Sequence, residues 1–149
     1  MQGLCVKKVS NMKSEIFALI LLFFPSYLLA LDGKPVTVEK LIETTKSWDG
    51  SVLPPYNAGQ PEVTILKITV QPNVALPWHT HPVINAGVVV KGKLTIITKT
   101  GEEHELSAGD TVVEVIGKIH RGINRGSEPA EIIVFYAGVA ETALTIQAE

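Results

Sequence analysis

Hydrophobic and polar positions alternate in short runs along most of this chain, and none sustains a helical period. From Val63 onward apolar residues recur at every second position or in brief blocks. These blocks span Val63–Val70, Asn85–Val90, Leu94–Thr98, His104–Leu106, Thr111–Val115, Ile119–Ile123 and Ala130–Tyr136. A period of two belongs to strands that bury one face. Turn formers separate the blocks: Lys91-Gly92-Lys93, Thr100-Gly101-Glu102, Ala108-Gly109-Asp110 and Asn124-Arg125-Gly126-Ser127. Short strands at this spacing predict an all-β sandwich or barrel. Upstream, Val36, Val38, Leu41 and Ile42 read as a strand or a short helix, and periodicity does not decide which. Ser47 to Glu62 is dense in Gly and Pro and reads as a loop, with Trp48, Leu53 and Tyr56 to pack it down. The layout expected is a leader over 1–30, an N-terminal strand and loop packed on the barrel over 31–62, and the barrel over 63–149.

The leader differs in kind from the rest. Lys7, Lys8 and Lys13 precede an unbroken apolar run, Ile16 to Phe24, and then Pro25-Ser26-Tyr27-Leu28-Leu29-Ala30. This is the charged start, apolar middle and small-residue exit of a secretory signal, with cleavage expected after Ala30 and Met12 as an alternative start. The competing reading is an uncleaved membrane anchor. Ile16 to Leu31 falls short of the roughly 20 apolar residues that span a bilayer, which favours cleavage and an exported, periplasmic or secreted domain. Cys5, the only cysteine, is lost with the leader, so no disulfide framework is expected. Removing residues 1–30 takes away Lys7, Lys8, Lys13 and Glu15, moving the net charge from −2 to about −4. No basic cluster remains, which argues against a nucleic-acid partner, and no membrane association is expected after cleavage.

Candidate chemistry gathers in two segments. Asn73 to Gly92 contains His79 and His81, separated by one residue at the end of a proline-bracketed extended run. In a strand both rings point to one side while Thr80 points away. Paired imidazoles are poorly suited to a packed core, because each needs a polar partner once buried. A divalent metal satisfies both, whereas the plainer reading is a pair of solvated strand histidines. Gly109 to Asn124 supplies a third histidine, His120, on a separate predicted strand.

These two segments resemble the paired motifs of the cupin superfamily, G-x5-H-x-H-x3/4-E-x6-G and G-x5-P-x-G-x2-H-x3-N. His79, His81 and Gly92 fall in register with the first, Asn73 stands where the family has glycine, and Asn85 stands where it has glutamate. Gly109, Gly117, His120 and Asn124 match the second, with Val115 in place of proline. The resemblance implies a cupin-like jelly-roll barrel with His79, His81 and His120 as inward-facing metal ligands. It also suggests a homodimer paired through outer strands.

The substitution at Asn85 has consequences. Asn85 lies four residues past His81, hence on the same face if the strand runs unbroken. Three imidazoles and an amide leave a divalent ion at its full +2 charge. That favours Fe, Zn, Ni or Cu over Mn and opens coordination positions. It also favours an anionic small-molecule ligand. The opposing reading is a cupin that has lost its metal, its histidines lining a pocket. Glu114 could supply the missing carboxylate, but alternation through Val113 and Val115 turns it outward.

Among other residues, Asn124 is expected to hydrogen-bond a turn, and Asn73 to accept a left-handed backbone. His104 is expected on a solvated acidic face, Trp78 and Tyr136 in the core with a pocket mouth as the alternative, and Arg121 in a structural or surface role. Two functions fit. One is a metal-dependent dioxygenase-like enzyme acting on a small anionic molecule, with its catalytic residues unidentified. The other is a non-catalytic module that binds a small molecule or the metal itself.

Overall fold

The computed structural model describes residues 36–148, and the leader read over 1–30 lies outside the described residues. Every regular element among the described residues is a strand. They are β1 (Pro61–Val70), β2 (His79–Thr80), β3 (Ile84–Lys91), β4 (Lys93–Thr98), β5 (Glu103–Ser107), β6 (Thr111–Val113), β7 (His120–Ile123), β8 (Ala130–Val139) and β9 (Ile146–Gln147). The expected blocks therefore sit where the alternation placed them. Pro61 opens β1, which is tolerated because β1 is an edge strand that need not donate on its open side. The two-residue strands β2 and β9 are too short to carry a period.

The strands form two antiparallel sheets, one in the order β1-β8-β3-β6 and the other β5-β4-β7-β2-β9. Their inner faces enclose one core, built from Val70, Val89, Ile96, Leu106, Val112 and Ile132 among others. This is the all-β class that the alternation predicted, in the jelly-roll arrangement that the resemblance implies.

Turn chemistry follows the backbone. Gly92, between β3 and β4, has φ +70°, and a Cβ there would stand 2.7 Å from the Pro129 carbonyl oxygen. Asn73 adopts φ 61°, the left-handed conformation expected of it.

Three expectations need correction. Residues 36–44 form neither strand nor helix, and Val36, Val38, Leu41 and Ile42 are exposed. Three alternating positions are too few to hold an extended segment without a neighbouring strand. Tyr56 is exposed rather than packed, although Trp48 does reach the core. The third correction concerns β6. The loop before β1 runs along it: Trp48 N–H donates to the Val113 carbonyl at 2.9 Å, and the Ser47 hydroxyl donates to the Glu114 carbonyl at 2.8 Å. β6 is thus covered on both sides, and Val112 and Val113 are both buried. Inward and outward cannot be told apart by hydrophobicity on such a strand. Val112 belongs to the inner core, so the next inward position is Glu114, one residue out of phase with the expectation.

Candidate metal centre

Strand pairing brings the histidines together. His79 on β2 lies directly opposite His120 on β7, and their ring centroids are 4.6 Å apart. His81 follows β2 and bridges to Ile116, with its ring 4.9 Å from that of His79 and 5.0 Å from that of His120. One potential ligand nitrogen from each lies within 4.8 Å of the others, so the three could hold a metal ion. The same-side placement of His79 and His81 is thereby observed, and His120 joins them from thirty-nine positions along the chain.

Each ring is fixed from behind. His79 Nδ1 lies 2.8 Å from the Pro77 carbonyl, His81 Nδ1 2.7 Å from that of Leu144, and His120 Nδ1 2.9 Å from that of Lys118. A carbonyl can only accept, so each Nδ1 carries a proton and donates it. That leaves the three Nε2 atoms to face one another. Outer hydrogen bonds of this kind set the tautomer and orientation that a metal-ligating histidine needs.

The carboxylate that joins them is Glu114, against the expectation that it faces outward. Its Oε2 accepts from His81 Nε2 at 2.8 Å and from His120 Nε2 at 3.3 Å. Burial alone would raise its pKa, but the hydrogen bonds and charges of His120 and His81 outweigh this and hold it at about 2. His120 is shifted upward: burial lowers it, and the Glu114 hydrogen bond and charge more than compensate. His79, further from the carboxylate, is shifted downward by burial and by its two histidine neighbours.

Asn85 is placed differently from the expectation. Pro82 and Val83 break the strand after His81, so His81 and Asn85 belong to opposite sheets. Asn85 is 1% exposed, it faces inward on β3, and neither atom of its amide has a hydrogen-bond partner. The side chain within bonding distance of the His81 and His120 Nε2 atoms is Glu114. Sequence could have found it by choosing Val112 rather than Val113 as the inward residue of β6.

Beside the histidines a cavity of about 200 Å³ lies between the sheets. Its walls are apolar, including Leu66, Ile68, Leu94 and Ile132, and its polar end carries His79, His81, Glu114, Tyr136 and Thr145. Tyr136 is buried, packs edge-on against His81 with centroids 5.5 Å apart, and hydrogen-bonds Thr145. Burial and the Glu114 charge raise its hydroxyl to about 12.

The remaining residues fall outside the centre. Asn124 is fully buried, donates to the carbonyls of Val70 and Glu128, and accepts from Gly126 N–H, as turn bonding required. His104 is not on a solvated face: it stacks on Trp48 with centroids 5.2 Å apart and the planes 5° from parallel. Trp78 is half-buried rather than in the core, with the Arg121 guanidinium 4.4 Å from its ring centre.

Comparison with known proteins agrees with this description. Residues 66–136 match the cupin domain. No curated protein matches the chain. Among solved structures, a conserved protein from Klebsiella pneumoniae with a double-stranded β-helix domain is 22% identical, with a TM-score of 0.52 over 74% of this chain and 99% of that one. The DMSP lyase DddQ from Ruegeria pomeroyi is 20% identical, with a TM-score of 0.51 over 58% of this chain and 43% of that one. This chain therefore spans less than half the length of the DMSP lyases it resembles in fold. With the cupin model matched over residues 66–136, the two-sheet fold shared and three histidines gathered between the sheets, this part of the chain is a cupin domain.

Proposed function

We propose that this chain is an exported, metal-dependent cupin enzyme of the dioxygenase type, acting on a small anionic molecule with an apolar body. The observation that carries the metal is the tethering of all three Nδ1 atoms, which turns the three Nε2 atoms toward one point. His79, His81, His120 and Glu114 would hold a divalent ion there. Such an ion supplies a Lewis acid and, when redox-active, an electron-transfer centre. Glu114 also changes the metal argument: a carboxylate beside three imidazoles removes the reason for ranking Mn below Fe, Zn, Ni or Cu.

The chain's own groups then define the substrate. A divalent ion with one carboxylate leaves a net positive charge, which favours an anionic group at the polar end of the cavity. The apolar walls suit a hydrocarbon portion. At about 200 Å³ the cavity is smaller than the roughly 300–1,000 Å³ that suits drug-sized ligands, so the substrate is small.

The second reading, a non-catalytic binding module, has an observation in its favour. The titratable groups at the polar end are already engaged: Glu114 by two histidines, Tyr136 by Thr145. A lyase or isomerase would need a free base, and His79 Nε2 does not serve as one once it holds the ion. Dioxygen chemistry does not carry that requirement.

The test is metal analysis of protein purified without a tag, followed by dioxygen uptake against a panel of small carboxylates. Stoichiometric metal, lost in His120→Ala, with uptake stimulated by at least one carboxylate is the expected result. Carboxylate binding without uptake or product would establish the binding module instead. A chain that takes up no divalent metal would overturn both metal-based readings.

A further inference from the structure

The buried amide of Asn85 is the polar group that the site just described leaves unused, and its place in the sheet gives it a role. Asn85 is directly opposite Tyr136 in the β3–β8 register. On its other side, Ala86 pairs with Val113, and Glu114 N–H donates to the Asn85 carbonyl at 3.2 Å, which extends that ladder by one pair. Tyr136, Asn85 and Glu114 thus form one row across three strands. Directly opposed residues share a face, with Cβ atoms about 4.5–5.5 Å apart. Tyr136 and Glu114 both reach the cavity, so the row points inward.

Within that row the commitments are unequal. The Tyr136 hydroxyl bonds Thr145, and Glu114 Oε2 takes both histidine contacts. Asn85 Nδ2 and Oδ1 have nothing. Buried polar atoms are nearly always paired, so an amide held bare in a strand interior signals a partner that arrives in another state.

We infer that Asn85 is a positioning residue for Glu114: its amide N–H donates a hydrogen bond to the Glu114 carboxylate once a divalent ion draws on the histidine nitrogens. This rests on the metal reading above. An ion coordinated by the Nε2 lone pairs removes the N–H donors that now hold Glu114 through Oε2. The carboxylate then needs a new donor to stay aimed at the ion, and Asn85 is its neighbour in the row. A neutral amide supplies that donor without adding a second negative charge.

The experiment compares the full chain with Asn85→Leu, Glu114→Gln and the double variant. Leucine is similar in size and apolar, so the fold is expected to survive. In chelator, Asn85→Leu should melt no lower than the parent, because the unpaired amide is gone. With Zn²⁺ or Mn²⁺ added it should bind about 10-fold more weakly or worse, the usual effect of losing an outer hydrogen bond to a ligand. In the Glu114→Gln background the same substitution should change affinity little, since its effect runs through the carboxylate. Asn85→Leu with unchanged metal affinity would overturn the inference, as would an equal loss in both backgrounds. A parent chain that binds neither metal overturns the metal reading and this inference together, an outcome distinct from the other two. An Asn85→Leu variant that melts well below the parent in chelator would show a structural role instead, and would also overturn it.

Discussion

Glu114 and His104 make opposite cases about single residues. The carboxylate reaches two histidine nitrogens because its strand is out of phase with the visible valines, while the fourth histidine leaves the site to stack on Trp48. Glu114→Gln should therefore weaken binding of a divalent ion by about 10- to 100-fold, measured by competition against a chelating dye. His104→Ala should leave that affinity unchanged. It should cost about 1 kcal/mol in urea unfolding, the typical worth of an aromatic pair. Metal affinity that falls in His104→Ala would show that the Trp48 stack supports the centre. The grouping of the three histidines and the turn role of Asn124 were legible from spacing. Glu114 was not, since T-V-V-E-V offers two equally apolar phases.

At the level of elements, the connections around the site are held by side chains rather than ladder bonds. Asn124 ties the end of β7 to both Val70 and Glu128. Removing its amide takes the partner from two carbonyls and one N–H, of which the Val70 contact is buried, so Asn124→Ala should cost about 1–3 kcal/mol by urea unfolding. The loop that covers β6 is pinned by Asp49, whose carboxylate accepts from Ser51 N–H, the Ser51 hydroxyl and the Lys118 ammonium. Burial would raise the Asp49 pKa, but the Lys118 and Ser51 hydrogen bonds outweigh it and hold it below its ordinary value of 3.8. A depressed folded-state pKa contributes stability above the ordinary value, and that stability is lost as pH falls through the folded one. The stability gap between the parent and Asp49→Asn should accordingly be full at neutral pH and shrink on acidification below about pH 4. A gap that stays constant would show that the carboxylate charge contributes nothing.

At the scale of the whole molecule, one sheet face is left uncovered by the described residues. On its outer side Val63 and Ile65 of β1 pair with Ala137 and Phe135 of β8, and Val63, Ile65 and Phe135 are more than half exposed at 68%, 55% and 51%. Neighbouring exposed apolar side chains on an open edge strand suit association with a second copy. The proposed homodimer should run at twice the chain mass in light scattering, and Ile65→Lys should shift it to monomer while leaving metal content intact. A parent chain that is monomeric at high concentration rules the dimer out. The proposed export is read separately, from the mature N-terminus of protein recovered outside the cytoplasm, where cleavage after Ala30 is expected.

The sequence by itself determined the all-β class, most strand positions and the set of three histidines. Period-two alternation and turn residues are local properties, and a ligand spacing such as H-x-H fixes a shared face within a few residues. Only the tertiary structure decided which way Glu114 points, that Asn85 faces inward from the opposite sheet, and that Val36 to Ile42 forms no element. Each of those depends on what packs against a strand from elsewhere in the chain. A strand covered on both sides looks the same in either phase until its neighbours are in place.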